Sequence, residues 1–320
     1  MTALLRAEQL ACRDGPRARV EGLEFALAAG ETVGLLGTNG AGKSTTLAML
    51  AGALAPTAGR VWLLGQDLHA SPSALRRAVG LLPERPPLHP DLTVDENLAF
   101  AARLHGLRGA RAREACVRTR AQCDLDRLAR RLARRLSRGE AQRAGIALAL
   151  VHDPRVLLLD EPTAGLDPLQ ATELRGLIRA LQPGRAVLLS THLLPDVEAL
   201  CDRAVLLHEG RQARELDLHA MAPATARVRL ARPIDATAWL DLPGVVSGAP
   251  AGDGWWSLEL DDQAPPDLAE RIAAQGWGLQ AYLPGGHDLT GLFVALVAQG
   301  ESLGAAPGES RPTGSGPGPG

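Results

Sequence analysis

Two groups of residues in this sequence are spaced for chemistry on phosphate. The first contains a single ammonium: of the 34 Lys and Arg residues, only Lys43 is a lysine. A chain that uses arginine for every other cation and keeps one compact point charge keeps it where the geometry asks for one. Lys43 lies in Gly37-Thr38-Asn39-Gly40-Ala41-Gly42-Lys43-Ser44, which satisfies G-x-x-x-x-G-K-S/T. Glycines there let the backbone wrap phosphate oxygens, and the helix that follows adds its N-terminal dipole. Candidate phosphate contacts are therefore Gly37 through Ser44, with Thr45 next on the helix. Lys43 is expected to neutralise the outer phosphates, and Ser44 to offer its hydroxyl to Mg²⁺. The second group is the acid pair Asp160-Glu161, which ends the apolar run from Val156. Asp160 is placed to hold Mg²⁺ through water. Glu161 is placed to orient and deprotonate a water attacking the terminal phosphate, an effect on the order of 10²–10⁴ in rate.

These groups need a scaffold that brings them together. The runs Thr32–Leu36, Val156–Asp160, Ala186–Ser190 and Ala204–His208 are short, apolar and separated by helical patterns. That is the signature of buried parallel strands in an α/β sheet, with chemistry at their C-terminal ends. Between Thr93 and Gln122 the periodicity becomes helical, opened by a capping box from Thr93 to Glu96. From about Ala226 a second pattern begins. It reads as strand Arg227–Ala231, helix Ala236–Leu242, strands Val245–Ala249 and Trp256–Leu260, helix Pro266–Gln275 and strand Gly278–Leu283. This βαββαβ order predicts a small ferredoxin-like unit, followed by a helix at Leu289–Gln299 and a disordered tail over 304–320. The expected division is a nucleotide-binding domain over 1–220, with a helical part at 93–150, and an accessory domain over 226–300.

Leu136-Ser137-Arg138-Gly139-Glu140-Ala141-Gln142-Arg143 stands ahead of the acid-tipped strand. With it the chain resembles the ABC ATPase family, whose hallmark is an LSGGQ-type signature at this position. Ala164-Gly165-Leu166-Asp167 resembles that family's D-loop, and Ser190-Thr191-His192 its switch region. The resemblance covers about Leu5 to Leu218 and implies a P-loop NTPase core of RecA type with an inserted helical subdomain. It implies ATP as substrate with Mg²⁺, held between two copies in a head-to-tail homodimer. Ser137 and Gly139 of one copy then grip the nucleotide seated in the other. His192 is implied to contact the γ-phosphate and hold Glu161 and water in register. Where the family places a glutamine, the run Gly80-Leu81-Leu82-Pro83-Glu84 offers Glu84, able to meet metal or water. This is similar to the ABC-2-type export branch, as is the C-terminal Asp288-Leu289-Thr290-Gly291-Leu292-Phe293. No aromatic occurs between Met1 and Val20, where the family stacks one on adenine near Asp14-Gly15. Acceptance of GTP or other nucleotides is therefore open.

Size and composition bound the rest. At 320 residues and 46% apolar content, one large and one smaller domain are expected. No apolar stretch nears the ~18 residues needed to span a bilayer, so a membrane permease must be a separate chain. The resemblance then implies a cytoplasmic subunit, peripheral on the inner face of the membrane, that docks its permease near Leu88–Asn97. The cysteines Cys12, Cys116, Cys123 and Cys201 are scattered and read as reduced, buried residues. Trp255, Trp256 and Trp277 read as core. A net charge of −2 gives no reason to invoke nucleic acid or anionic lipid as the main partner. The arginine-rich stretch from Arg103 to Arg138 reads as solvated helix surface. The alternatives are a soluble ABC ATPase acting on nucleic acid or the ribosome, and a regulatory sensor that binds nucleotide without useful turnover.

Overall fold

The computed structural model describes residues 3–70, 73–218, 225–261 and 263–285. The helix at Leu289–Gln299 and the tail at 304–320 lie outside them. In chain order the first elements are β1 (Ala3–Asp14), β2 (Arg17–Ala28), β3 (Thr32–Gly37), α1 (Lys43–Leu50), β4 (Ala58–Leu63), β5 (Gln66–Asp67), α2 (Ser73–Arg76) and β6 (Val79–Leu82). Two helices, α3 (Val94–Leu104) and α4 (Gly109–Gln122), lead to α5 (Arg138–Leu150). The chain returns through β7 (Val156–Asp160), α6 (Pro168–Leu181), β8 (Ala186–Thr191), α7 (Leu194–Leu200), β9 (Arg203–His208) and β10 (Arg211–Asp217).

These strands form one sheet in the order β5-β4-β1-β2-β10-β9-β3-β8-β7-β6. The stretch β9-β3-β8-β7-β6 is parallel throughout. Its strands β3, β7 and β8 are buried at every residue, as expected of strands covered on both faces. The fold is thus the expected P-loop α/β core, extended by strands the sequence reading did not name. β1 and β2 pair antiparallel over twelve residues each, and β4 joins β1 in the same sense. Their polar and apolar residues alternate, which suits one solvated face and hides them from a search for short apolar runs.

Register decides what meets at the sheet's edge. Leu36 lies beside Thr191, and Asp160 beside Ser190. The loop leaving β3, the acids ending β7 and the histidine after β8 therefore emerge side by side. Thr93 caps α3 in a full capping box with Glu96, as its sequence indicates.

A second sheet is built from β11 (Thr225–Leu230), β12 (Val245–Pro250), β13 (Trp255–Leu260) and β14 (Leu279–Pro284), with α8 (Leu268–Ala274) before the last strand. Its order is β12-β13-β11-β14 with every neighbour antiparallel. The first connection differs from the expected helix: Ala236–Asp241 is a 3-10 segment. It is only six residues long, and Pro243 restricts Leu242 to an extended conformation. The tryptophans divide as period-two alternation requires. Trp239 is wholly buried, with Trp256 and Trp277 rings 5.7 and 5.1 Å away. Trp255 is not core: it points to the opposite face, where the Arg227 guanidinium lies 5.0 Å from its ring.

Candidate functional site

The loop from Gly37 to Lys43 is pressed between strands. At Gly42 φ is +101°, and a Cβ there would stand 2.6 Å from the Arg19 carbonyl oxygen, so only glycine fits. Ala41 N–H donates to Thr38 O at 3.1 Å, which tightens the turn into α1. The first-turn N–H groups of Lys43, Ser44 and Thr45 have no intrahelical acceptor, and no side chain caps them. They form a ready anion site.

Lys43 is buried beneath this loop, and its ammonium donates to Gly37 O at 2.8 Å and Thr38 O at 3.3 Å. It also pairs with Glu161 Oε1 at 3.2 Å. Glu161 Oε2 lies 2.8 Å from His192 Nδ1, which donates to it. One carboxylate thus bridges the loop's lysine and the switch histidine. Glu161 is itself held in the left-handed region, φ +48°, a conformation that costs free energy and turns its side chain out of the strand line. Its backbone N–H donates to both the carbonyl and the hydroxyl of Ser190, at 3.0 and 3.3 Å. The Ser190 hydroxyl in turn donates to Asp160 Oδ1.

A group that sequence reasoning missed fixes this corner from below. Asp196 is fully buried at the start of α7. It accepts from the Thr163 hydroxyl, from Thr191 Oγ1 at 3.2 Å and from Arg175 Nε at 2.7 Å. Thr163 follows the acid-tipped strand β7 and Thr191 precedes His192, so Asp196 ties the two loops that carry Glu161 and His192. In sequence it is one more acid in the first turn of a helix, and its burial depends on tertiary packing.

Ser137 and Gly139 stand apart from this cluster in one chain. Ser137 is the N-cap of α5 and closes a full capping box with Glu140. Its hydroxyl already accepts Glu140 N–H at 3.2 Å, and its carbonyl accepts Ala141 N–H at 2.9 Å. The anion site at this corner is therefore narrower than a bare helix start. It comprises the Arg138 and Gly139 N–H groups and the Ser137 hydroxyl proton. The helix begins at Arg138, directly after its cap Ser137. The Arg138 guanidinium lies over Gly165, where a Cβ would stand 2.4 Å from Nη1, so the signature touches the D-loop of its own chain. Asp167 caps α6 by accepting Gln170 N–H at 2.9 Å.

Glu84 is exposed just beyond β6, and its carboxylate pairs with none of Lys43, Ser44, Asp160 or Glu161 among the described residues. Only its main-chain oxygen is engaged, by Gln142 Nε2 at 3.4 Å. Asp14, near which the family stacks an aromatic, forms an ion pair with Arg19 at 2.5 Å.

A buried ammonium under a glycine loop, a strand-end acid pair and a histidine on the adjoining strand define a P-loop nucleoside triphosphatase. Residues 20–164 match the family model described as ABC transporter. The chain is 41% identical over 213 residues to Nod factor export ATP-binding protein I of Burkholderia orbicola (strain AU 1054), spanning 65% of this chain and 69% of that relative. Among solved structures, an ATP-binding subunit of an ABC transporter superposes with TM-score 0.61 at 33% identity, covering 67% of this chain and 90% of that one. A dimeric ATP-binding cassette in a post-hydrolysis state with ADP and Pi gives TM-score 0.61 at 26% identity, over 67% and 98% of the two chains. The chain belongs to the ATP-binding subunits of ABC transporters: it binds ATP, and its hydrolysis drives transport. One solved cassette of this family is dimeric and another, cbiO1 from Clostridium perfringens, is part of a transporter complex; no helix among the described residues here is long and apolar enough to cross a membrane.

Proposed function

We propose that this subunit hydrolyses ATP at the interface of a head-to-tail homodimer and powers export through a separate permease on the inner face of the cell membrane. The carrying observation is the placement of Glu161 between Lys43 and His192. Phosphate oxygens seated on the loop compete with Glu161 for the Lys43 ammonium. The carboxylate is then free to take a proton from water, while His192 keeps it in line. Mg²⁺, when bound, supplies charge neutralisation to the phosphate oxygens. Ser44 and Asp160 suit it, because one hydroxyl and one carboxylate leave room for phosphate and water. Asp160 is 6% exposed and fixed through one oxygen by Ser190. Ser137 and Gly139 reach across to the partner's nucleotide. Glu84, at the rim, is the candidate to join metal or water as the copies close.

The permease has a matching surface. A cavity of about 490 Å³ between the sheet and the helical insertion is lined by Leu81, His89, Phe100, Leu104, His105 and His152 among others. Phe100 and Leu104 are 43% and 71% exposed there, suited to the apolar side of a cytoplasmic helix. Export follows the export function printed for the Burkholderia relative.

Lys43→Ala tests the reading. ATP turnover should fall by about 10²–10³, the scale for removing one preorganised donor from a developing charge. Turnover equal to the parent protein would falsify it.

A further inference from the structure

The whole-chain charge of −2 conceals a local imbalance. Between Arg103 and Arg138 there are twelve arginines and only three carboxylates, Glu114, Asp124 and Asp126. Arginine as the default cation explains the residue type but not the missing acids. Some of these arginines have structural partners: Arg120 pairs with Asp95 and Asp126, Arg131 with Glu140, Arg134 with Asp91. Arg103, Arg108, Arg111, Arg113 and Arg118 are exposed and pair with no carboxylate among the described residues. They line the end of α3, the turn and α4.

Helix α4 buries Ala115 and Thr119, with Ala112 and Cys116 packed beside them. At 100° per residue the opposite side is centred on Ala110, Val117 and Ala121. All three are exposed, Val117 at 54%, the exposed Glu114 shares this side, and Arg111, Arg113 and Arg118 flank it. The helix runs about 21 Å. Five exposed guanidinium groups opposed on this helix by Glu114 alone form a basic cluster of the kind that meets the anionic surface of a bilayer. It does not suit single-stranded nucleic acid, which needs rings to stack on: residues 106–122 contain no aromatic.

We infer that the outer face of α4, with Arg103 and Arg108 beside it, rests on the anionic phospholipid headgroups of the bilayer that holds the permease. The orientation toward the membrane rests on the docking reading above, since Leu104 of the docking groove adjoins Arg103 in sequence. The contact adds peripheral affinity to the permease's own grip and aligns the helical insertion with the membrane plane.

The test is sedimentation of the full chain, without permease, with vesicles of phosphatidylcholine alone or mixed with phosphatidylglycerol, at low and high salt. Binding to the anionic vesicles should exceed binding to the neutral ones by tenfold or more and weaken as salt screens the charges. Arg111→Glu, Arg113→Glu and Arg118→Glu together should lower it at least tenfold with ATP turnover unchanged. The same three positions as lysine should retain it, which separates charge from folding. Equal binding to both vesicles, retention by the glutamate variant, or tighter capture of a polyuridine strand than of anionic vesicles overturns the inference. Loss of permease co-purification in variants of the Phe100–Leu104 groove, or its persistence, bears on the docking reading alone, because the vesicle assay contains no permease.

Discussion

The phosphate loop and the signature corner are both helix N-termini of the same chain, and they are furnished in opposite ways. Behind the loop stand a buried ammonium, two strand-end carboxylates and a histidine joined by hydrogen bonds. The corner has donors only, two N–H groups and one hydroxyl, steadied by the capping glutamate. A charged, interlocked site carries the groups that can bind a triphosphate and activate water. A corner of neutral donors adds useful free energy only when an anion is delivered by another molecule. In the function proposed above, chemistry belongs to one end and detection of the partner's nucleotide to the other.

The sharpest way to break this division is Glu161→Gln. The amide keeps the shape and the contact to His192 but neither takes a proton nor answers Lys43. Hydrolysis should fall by about 10²–10⁴ while ATP binding survives, and the ATP-bound pair should accumulate as a dimer in gel filtration. Turnover within about threefold of the parent, with no dimer, would remove Glu161 from the centre of the scheme.

Next is Asp196→Ala. It strips the buried acid from Arg175, Thr163 and Thr191 together and should cost about 3 kcal/mol in urea unfolding. If Asp196 positions the two catalytic loops, kcat drops further than the stability loss explains under conditions where the variant is fully folded. Asn at the same position, which keeps the two hydroxyl contacts, should restore part of kcat. A variant unstable but normal in kcat would make Asp196 a structural anchor alone.

How far these sites were legible follows from what each depends on. The loop, the acid pair and the signature are contiguous, so their spacing alone exposes them, and apolar runs bounded by turns give strands β3, β7, β8 and β9. Asp196 was invisible because its role arises from three residues brought to it by separate elements. The long antiparallel β1 and β2 escaped because alternation over twelve residues does not resemble the short buried runs. Trp255 and Trp256 are neighbours in sequence yet serve opposite faces, a distinction that a preference for aromatic cores does not make.

A smaller effect probes the far end of the signature helix. His152, just beyond α5, donates from Nε2 to Val79 O at 3.0 Å and stacks on His105 with ring centroids 3.6 Å apart. Burial and the neighbouring His105 push its pKa down to about 4, against a partial opposing effect from the Val79 carbonyl and Asp153. Between the unfolded value near 6.5 and about 4, the unfolded chain binds a proton that the folded chain refuses. Stability is therefore full above that window and declines as pH falls through it, by up to about 3 kcal/mol. Urea unfolding between pH 7 and pH 4 should show this decline, reduced in His152→Gln. An identical pH dependence in both proteins would place the loss elsewhere.

The smallest predicted effect separates the corner's two tasks. Ser137→Ala removes the cap and the hydroxyl donor, so it should cost about 1 kcal/mol of stability and also weaken the ATP-bound dimer. Glu140→Ala breaks the reciprocal half of the same box, the carboxylate that accepts Ser137 N–H at 2.7 Å, and leaves the Ser137 hydroxyl in place. It should cost a similar amount of stability with less loss of dimer. If capping were all that Ser137 does, the two variants would be equal in both measurements. A larger loss of dimer in the serine variant assigns the hydroxyl to the partner's nucleotide, because only that substitution removes the hydroxyl proton, whereas Glu140→Ala removes the carboxylate paired with Arg131.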